Sequence, residues 1–152
     1  MDREALKSKI LSIFPEADIP EEEMQFLTVT IPGEALLKVL KPLREEADLT
    51  FDFLFCLSAV DMPDHILSVY HLRSTTLGHE VVIKAKLDRE ASEIHTVTHI
   101  WKTADFHERE AFDLMGIKYT NHPDMRRIFL EDDWVGHPLR KDYVDEVNMV
   151  EL

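Results

Sequence analysis

The apolar positions of the chain switch between helical and strand periods, and the switches delimit its elements. In residues 2–14, Leu6, Ile10, Leu11, Ile13 and Phe14 recur at helical spacing, and Pro15 and Pro20 end the run. Glu21-Glu22-Glu23 reads as a solvated connector. Leu27, Val29 and Ile31 then alternate with polar positions over residues 25–31, which predicts a strand. After Pro32-Gly33, the stripe Leu36, Leu37, Leu40, Leu43 and Ala47 predicts a second helix over residues 34–47, which Pro42 should kink or split.

Residues 49–60 are apolar on both parities, with Phe51, Phe53 and Phe55 on one and Leu54, Cys56 and Val60 on the other. That pattern predicts a central strand covered on both faces, with Cys56 as an inert core thiol. Turns at residues 61–64 and 75–78 separate it from strands over 66–73 and 79–87, so two hairpins in succession give an antiparallel meander. Residues 88–93 are polar and read as a helical turn. A last helix carries Ala111, Phe112, Leu114 and Met115 on one side and stops at Gly116. The order helix, strand, helix, three strands, helix predicts an α+β fold: a two-layer domain with a mixed or antiparallel sheet of about four strands and helices on one face.

Beyond Gly116 the periodicity fails. One short apolar alternation, residues 117–119, is followed by two His-Pro steps, His122-Pro123 and His137-Pro138, each of which disfavours helix at the histidine. Long segments without regular structure are uncommon in compact domains unless they bind something or are disordered. Tyr119, Met125, Ile128, Phe129, Leu130, Trp134, Leu139 and Tyr143 give this one too much apolar matter for a solvated linker. Arg126, Arg127, Trp134, Arg140 and Tyr143 are residue types that often dominate interfaces. The division expected is therefore a core domain over 1–115 and an extended docking arm over 116–152, acting as one functional unit. The alternative is an arm that folds back on its own domain with Trp134 as a local anchor.

Charge sharpens this picture. The formal charge of −13 opposes general affinity for nucleic acid or anionic lipid. Between Gly116 and Tyr143, however, Lys118, Arg126, Arg127, Arg140 and Lys141 balance Asp124, Glu131, Asp132, Asp133 and Asp142, leaving a neutral arm on an acidic body. A polar protein partner fits that better than DNA. Cys56 is the only cysteine, which excludes an internal disulfide and any iron-sulfur cluster held by this polypeptide alone. A reducing compartment is expected. No apolar run approaches the ~20 residues that span a bilayer, and Met1-Asp2-Arg3-Glu4 does not start a signal peptide.

Chemistry-bearing patterns are sparse. The glycines, Gly33, Gly78, Gly116 and Gly136, form no phosphate-cradling loop, so no nucleotide site is expected. Asp105, Arg109 and Asp113 recur at four-residue intervals, which predicts an exposed arginine between two carboxylates on one helical face. Glu108 lies on or beside the apolar stripe, where an ionised carboxylate needs a partner. Either Asp105 is the N-cap and Glu108 closes a capping box, or Glu108 pairs with Arg126, Arg127 or Arg140 of the arm. His95 and His99, with His107 or Glu108, are a conceivable metal set, but Thr96-Val97-Thr98 lacks the glutamate of a zincin. His122 and His137 are expected to hydrogen-bond backbone in their turns.

Several of these residues also carry a resemblance. Glu108-Arg109-Glu110, Asp113, Leu114-Met115, His122-Pro123-Asp124 running into Arg126-Arg127-Ile128, and Gly136-His137-Pro138-Leu139-Arg140-Lys141-Asp142-Tyr143 closely resemble the signature of one family. That family is the thirty-kilodalton subunit of respiratory complex I, NADH:quinone oxidoreductase. Residues 51–64 and the alternation to His71-Leu72 extend the likeness over roughly the last two thirds of the sequence. The resemblance implies a structural subunit of a proton-pumping complex, without an active site or cofactor of its own. NADH, FMN, iron-sulfur clusters and quinone would then sit on partner subunits. It also implies docking to the large hydrophilic quinone-site subunit and proximity to the iron-sulfur subunit beside it, peripherally on the cytoplasmic side of the inner or plasma membrane without direct insertion. The expected assembly residues are Glu108, Arg109, Glu110, Asp113, His122, Arg126, Arg127, Trp134, His137, Arg140 and Tyr143. Two alternatives stand beside it: the equivalent subunit of a membrane-bound hydrogenase or formate hydrogenlyase, and a stand-alone metal-dependent hydrolase using the histidines with Glu108 or Glu110.

Overall fold

The computed structural model describes residues 1–145. In chain order the elements are α1 (Arg3–Ile13), β1 (Leu27–Pro32), α2 (Leu36–Glu45), β2 (Phe53–Asp61), β3 (His65–Arg73), β4 (Glu80–Asp88), β5 (Glu93–His95), α3 (Ala104–Met115) and β6 (Lys118–Thr120). Asp2 starts α1 as its N-cap, accepting the Ala5 N–H at 2.8 Å. A 3₁₀ turn, Gly33–Ala35, leads into α2. The expected split at Pro42 does not occur, because the proline lies in the last turn and removes only its own N–H from the ladder.

Four strands form a mixed sheet in the order β1-β4-β3-β2. The antiparallel meander is β2-β3-β4, and β1 joins it parallel to β4 with Leu27 opposite Val81. All three helices cover the same face. Leu6 and Ile10 of α1, Val39, Leu40 and Leu43 of α2, and Ala104 and Ala111 of α3 join Val29, Ile31, Tyr70, Leu72 and Ile83 in one core. A fully buried Leu or Ile contributes about 1.5–3 kcal/mol, so this face dominates the stability.

Three further expectations are corrected. First, β2 is an edge strand and not a central one. Leu54 joins the core, while Phe53 and Phe55 on the other parity tilt against each other, and Phe55 packs with Phe26 and His71. Second, the β2–β3 register shifts between Leu54 and Cys56, and this irregularity leaves Cys56 half-buried at the edge rather than in the core. Third, residues 88–93 do not form a helical turn. They lead into β5, which pairs parallel with β6, Ile94 opposite Tyr119. Strands of three residues carry too few alternations to show a period. This small sheet sets residues 96 and 97 beside α3 and fixes where the arm begins.

Candidate partner-docking site

The site is built on the C-terminal end of α3. A helix leaves its last four carbonyls without intrahelical donors and carries partial negative charge at that end. Here the segment that follows supplies the donors. Gly116, in the left-handed conformation at φ 74°, returns its N–H to Phe112 O at 2.9 Å. Asp113 O accepts from Arg127 Nη1 and His137 Nδ1, each at 3.0 Å. Leu114 O accepts the Leu139 N–H at 3.0 Å, and Met115 O accepts Arg140 Nε at 2.7 Å. Two guanidinium groups therefore sit at the negative end of the helix dipole.

Asp113 organises the other half of the arrangement. Its side chain is fully buried. Oδ1 accepts Arg127 Nη1 at 2.8 Å, and Oδ2 accepts the N–H groups of Ile128, Phe129 and Leu130 at 3.2, 2.7 and 3.0 Å. Burial alone would raise its pKa, but Arg127 and these three amides outweigh that and hold it below the usual carboxylate range. Arg127 Nη2 continues to the carbonyls of Trp134 and Gly136 at 3.0 and 2.9 Å. One carboxylate and one guanidinium thus shape residues 127–136, which have no regular structure.

The remaining expected site residues divide. Arg109 is buried and donates to the carbonyls of Arg126 and Arg127 at 3.2 and 3.0 Å; it makes no ion pair with Asp105 or Asp113. The predicted exposed charge row is corrected accordingly, since an arm carbonyl pair occupies the guanidinium fork. Glu108 is also corrected. Thr103, not Asp105, is the N-cap, so no capping box closes, and no arm arginine reaches Glu108. Its carboxylate accepts Thr96 Oγ1 at 2.6 Å and the Val97 N–H at 2.8 Å, tying the loop after β5 to α3. Burial pushes its pKa up to about 7 against the pull of those two hydrogen bonds.

His122 accepts the Asp124 N–H on Nδ1 at 2.9 Å, which leaves the Nε2 proton facing Asp105. Nε2 lies 3.2 Å from Asp105 O, 3.0 Å from Asp105 Oδ1 and 3.8 Å from Glu108 Oε2. His137 lies over Gly116, where an added Cβ would meet its ring at 2.6 Å, and Tyr143 lies over Gly136 in the same way at 2.9 Å. Arg140 Nη1 and Nη2 reach Arg89 O and Ser92 Oγ, each at 3.2 Å. Arg126 is exposed and pairs with Asp124. Glu110 is exposed and lines an apolar groove with Leu57, Ala59, Leu114 and Leu139.

A second anchor was not legible in the sequence. Asp61, at the end of β2, pairs with Arg89 and accepts the Lys141 N–H at 2.7 Å. The Arg89 hydrogen bond lowers its pKa to about 2. These residues lie in polar turns and an irregular tail, where no periodicity marks them.

Held this way, the arm still presents apolar side chains outward: Phe129 is 65% exposed, Trp134 38%, Val135 87% and Leu139 60%. It is neither enclosed by its own domain nor detached from it. Residues 146–152 of the expected arm lie outside the described residues. Among the described residues no group of three or more His, Cys, Asp or Glu side chains is placed to hold a metal ion. His95 and His99 stack edge to face at 5.5 Å, and Glu108 is turned to Thr96 and Val97. Among them, too, no helix is long and apolar enough to cross a membrane.

Known proteins share this sequence pattern and this fold. The family model for the respiratory-chain NADH dehydrogenase, 30 Kd subunit, matches residues 29–147. The sequence is 42% identical over 133 residues to the C subunit of NADH-quinone oxidoreductase from Moorella thermoacetica, covering 86% of this protein and 88% of that one. It is 42% identical over 126 residues to the C/D subunit from Phocaeicola vulgatus, covering 82% of this protein but 24% of the longer relative. Its fold is similar to one polypeptide in the structure of the membrane-bound sulfane sulfur reductase, an archaeal respiratory membrane complex. That likeness has a TM-score of 0.78 and 26% identity, with 95% of this protein and 86% of that polypeptide covered.

Proposed function

Because the protein belongs to the family of the 30 kDa subunit of respiratory-chain NADH dehydrogenase, complex I, we propose that it is a cofactor-free structural subunit that docks the large quinone-site subunit. The observation that carries this reading is an irregular backbone fixed from inside by Asp113 and Arg127 while Phe129, Val135 and Leu139 face outward. Holding a loop in one conformation before contact removes part of the entropy that docking would otherwise cost. Residues 1–115 then serve as the platform and 116–152 as the docking arm. The relative named for both C and D joins the two names in one polypeptide, which supports adjacency of C-like and D-like parts, the D-like part being the large subunit of this reading. The iron-sulfur subunit is expected nearby, and the assembly on the cytoplasmic side of the membrane.

In this reading Asp113, Arg109, Arg127, His137 and Arg140 hold the arm, whereas Phe129, Trp134, Val135 and Leu139 meet the partner. None makes or breaks a bond. The test is Phe129→Asp with Val135→Asp in an affinity-tagged protein purified from membranes. Thermal melting should stay within about 0.5 kcal/mol of the parent, because both side chains are exposed. Recovery of the large subunit should fall about tenfold or more; undiminished recovery overturns the reading. The likeness to a polypeptide of the sulfane sulfur reductase structure supports a second reading, the equivalent subunit of a related membrane complex with a different electron acceptor. The subunits that co-purify distinguish the two.

A further inference from the structure

Two open clefts flank His99 and share its side chain and that of Lys41. One, of about 440 Å³, runs from there to Arg44 and Thr50; the other, of about 330 Å³, runs to His95 and Thr98. Together they form a trough between α2 and the loop after β5, with a cationic or protonatable group at each end and two at the joint. Of the arm only Asn121, at its start, lines the trough, which lies apart from the anchor of Asp113 and Arg127 and from the exposed apolar side chains.

On a protein of net charge −13 this convergence is unusual. Among the described residues neither Lys41 nor Arg44 forms an ion pair. The Asp52 carboxylate is held by the Thr75 N–H and hydroxyl, and the charge of Arg44 adds to the lowering of its pKa after them. Burial, then the charges of His95 and Lys41, lower the pKa of His99. His95 Nδ1 donates to Thr96 O at 2.7 Å, which turns Nε2 outward as a proton acceptor. The acidic side chains facing these groups are Asp52 near Arg44, Glu45 on the rim of the larger cleft, and Glu34, Asp88 and Glu93 on the far side of His95.

We propose that this trough is a docking surface for an extended acidic segment, a run of Asp and Glu side chains, belonging to a neighbouring subunit of the assembly. The inference rests on the proposed function only for where that segment resides. Length favours a peptide over a compact phosphate: the charges are spread along two joined clefts, and no glycine lines either to offer a close cradle of amides. Elsewhere the acidic body repels such a segment, so the trough fixes its register as well as attracting it. Carboxylates beside His99 favour its protonated form, and by linkage the contact strengthens as pH falls from 8 to 6.

The test begins with the isolated protein and a fluorescein-labelled octaglutamate peptide at low ionic strength. Saturable binding is expected, about tenfold weaker for Lys41→Gln with Arg44→Gln, on the scale of two partly exposed charge contacts. The His99 pKa followed by proton NMR should rise in the complex. Absence of saturable binding, equal binding by the double variant, or equal saturable binding of inorganic phosphate overturns the proposal. The second arm treats the assembly purified from membranes with a carbodiimide, which joins Lys41 to a contacting carboxylate. A cross-link from Lys41 to an Asp- or Glu-rich peptide of another subunit supports it, and an uncoupled Lys41 overturns it. Failure to recover the large subunit at all would sink the docking function, while the octaglutamate result still decides the chemistry of the trough.

Discussion

Arg127 Nη1 lies 2.8 Å from Asp113 Oδ1 and 3.0 Å from the carbonyl oxygen of the same residue. A single guanidinium therefore neutralises a buried carboxylate and caps the helix that carries it. The arm's order follows from this pair, because the other carboxylate oxygen gathers the amides of residues 128–130.

Asp113→Asn should therefore be severe. Breaking a buried pair from one side costs about 3–5 kcal/mol, since the guanidinium is left uncompensated. For a protein of this size that lowers the melting temperature by about 10 °C. The pH dependence follows from the lowered pKa of Asp113. Its contribution is present above the unfolded-state pKa and is lost as pH falls through the folded value. Thermal melts from pH 7 into the acid range should show a parent that loses stability faster than the Asn variant.

Glu108 has the opposite sign. With its pKa raised to about 7, its contribution is fully present below the unfolded-state value and is lost as pH rises through about 7. Gln keeps an acceptor for the Val97 N–H and a donor for Thr96. Glu108→Gln is expected to melt higher than the parent at pH 8, by a margin on the order of 3 kcal/mol, and to match it near pH 4. A parent curve flat between pH 5 and 8 would refute this.

Gly116→Ala meets two obstacles at once. The residue is at φ 74°, and an added Cβ would stand 2.6 Å from the His137 ring. The left-handed backbone alone costs about 1–2 kcal/mol for a residue with a Cβ, and displacing His137 also breaks its bond to Asp113 O. Denaturant unfolding should report a loss above about 1 kcal/mol with an unchanged m-value.

Asp61→Asn tests the second anchor. Asp61 pairs with Arg89 and receives the Lys141 N–H, and Arg140 bonds the Arg89 carbonyl close by. Without the carboxylate, limited trypsin digestion should cut after Arg140 and Lys141 several-fold faster. The core, which shares none of these bonds, should survive. In the parent, hydrogen exchange at the Lys141 amide should lose its protection as pH falls towards about 2, where Asp61 takes up its proton.

Much of the molecule was readable from residue order alone. Leu6 and Ile10, Val29 and Ile31, and the alternation through Tyr70 and Leu72 repeat often enough for their periods to name helix or strand, and the meander follows from its turns. The motif residues around His137 and Arg140 marked the family, and Gly116 marked the helix end.

Tertiary structure decided what one-dimensional pattern does not contain. An apolar strand reads the same whether its second face meets a helix or only Phe26 and His71, so β2 became an edge. β5 and β6 are too short to carry a period and exist because each completes the other. A charged side chain's partner depends on distance in space, which is why Glu108 binds Thr96 and Val97, Arg109 binds arm carbonyls, and Asp61 holds a residue eighty positions away. Local periodicity fixed the elements; the carboxylates and guanidiniums that order the irregular arm found their partners only once the polypeptide had folded.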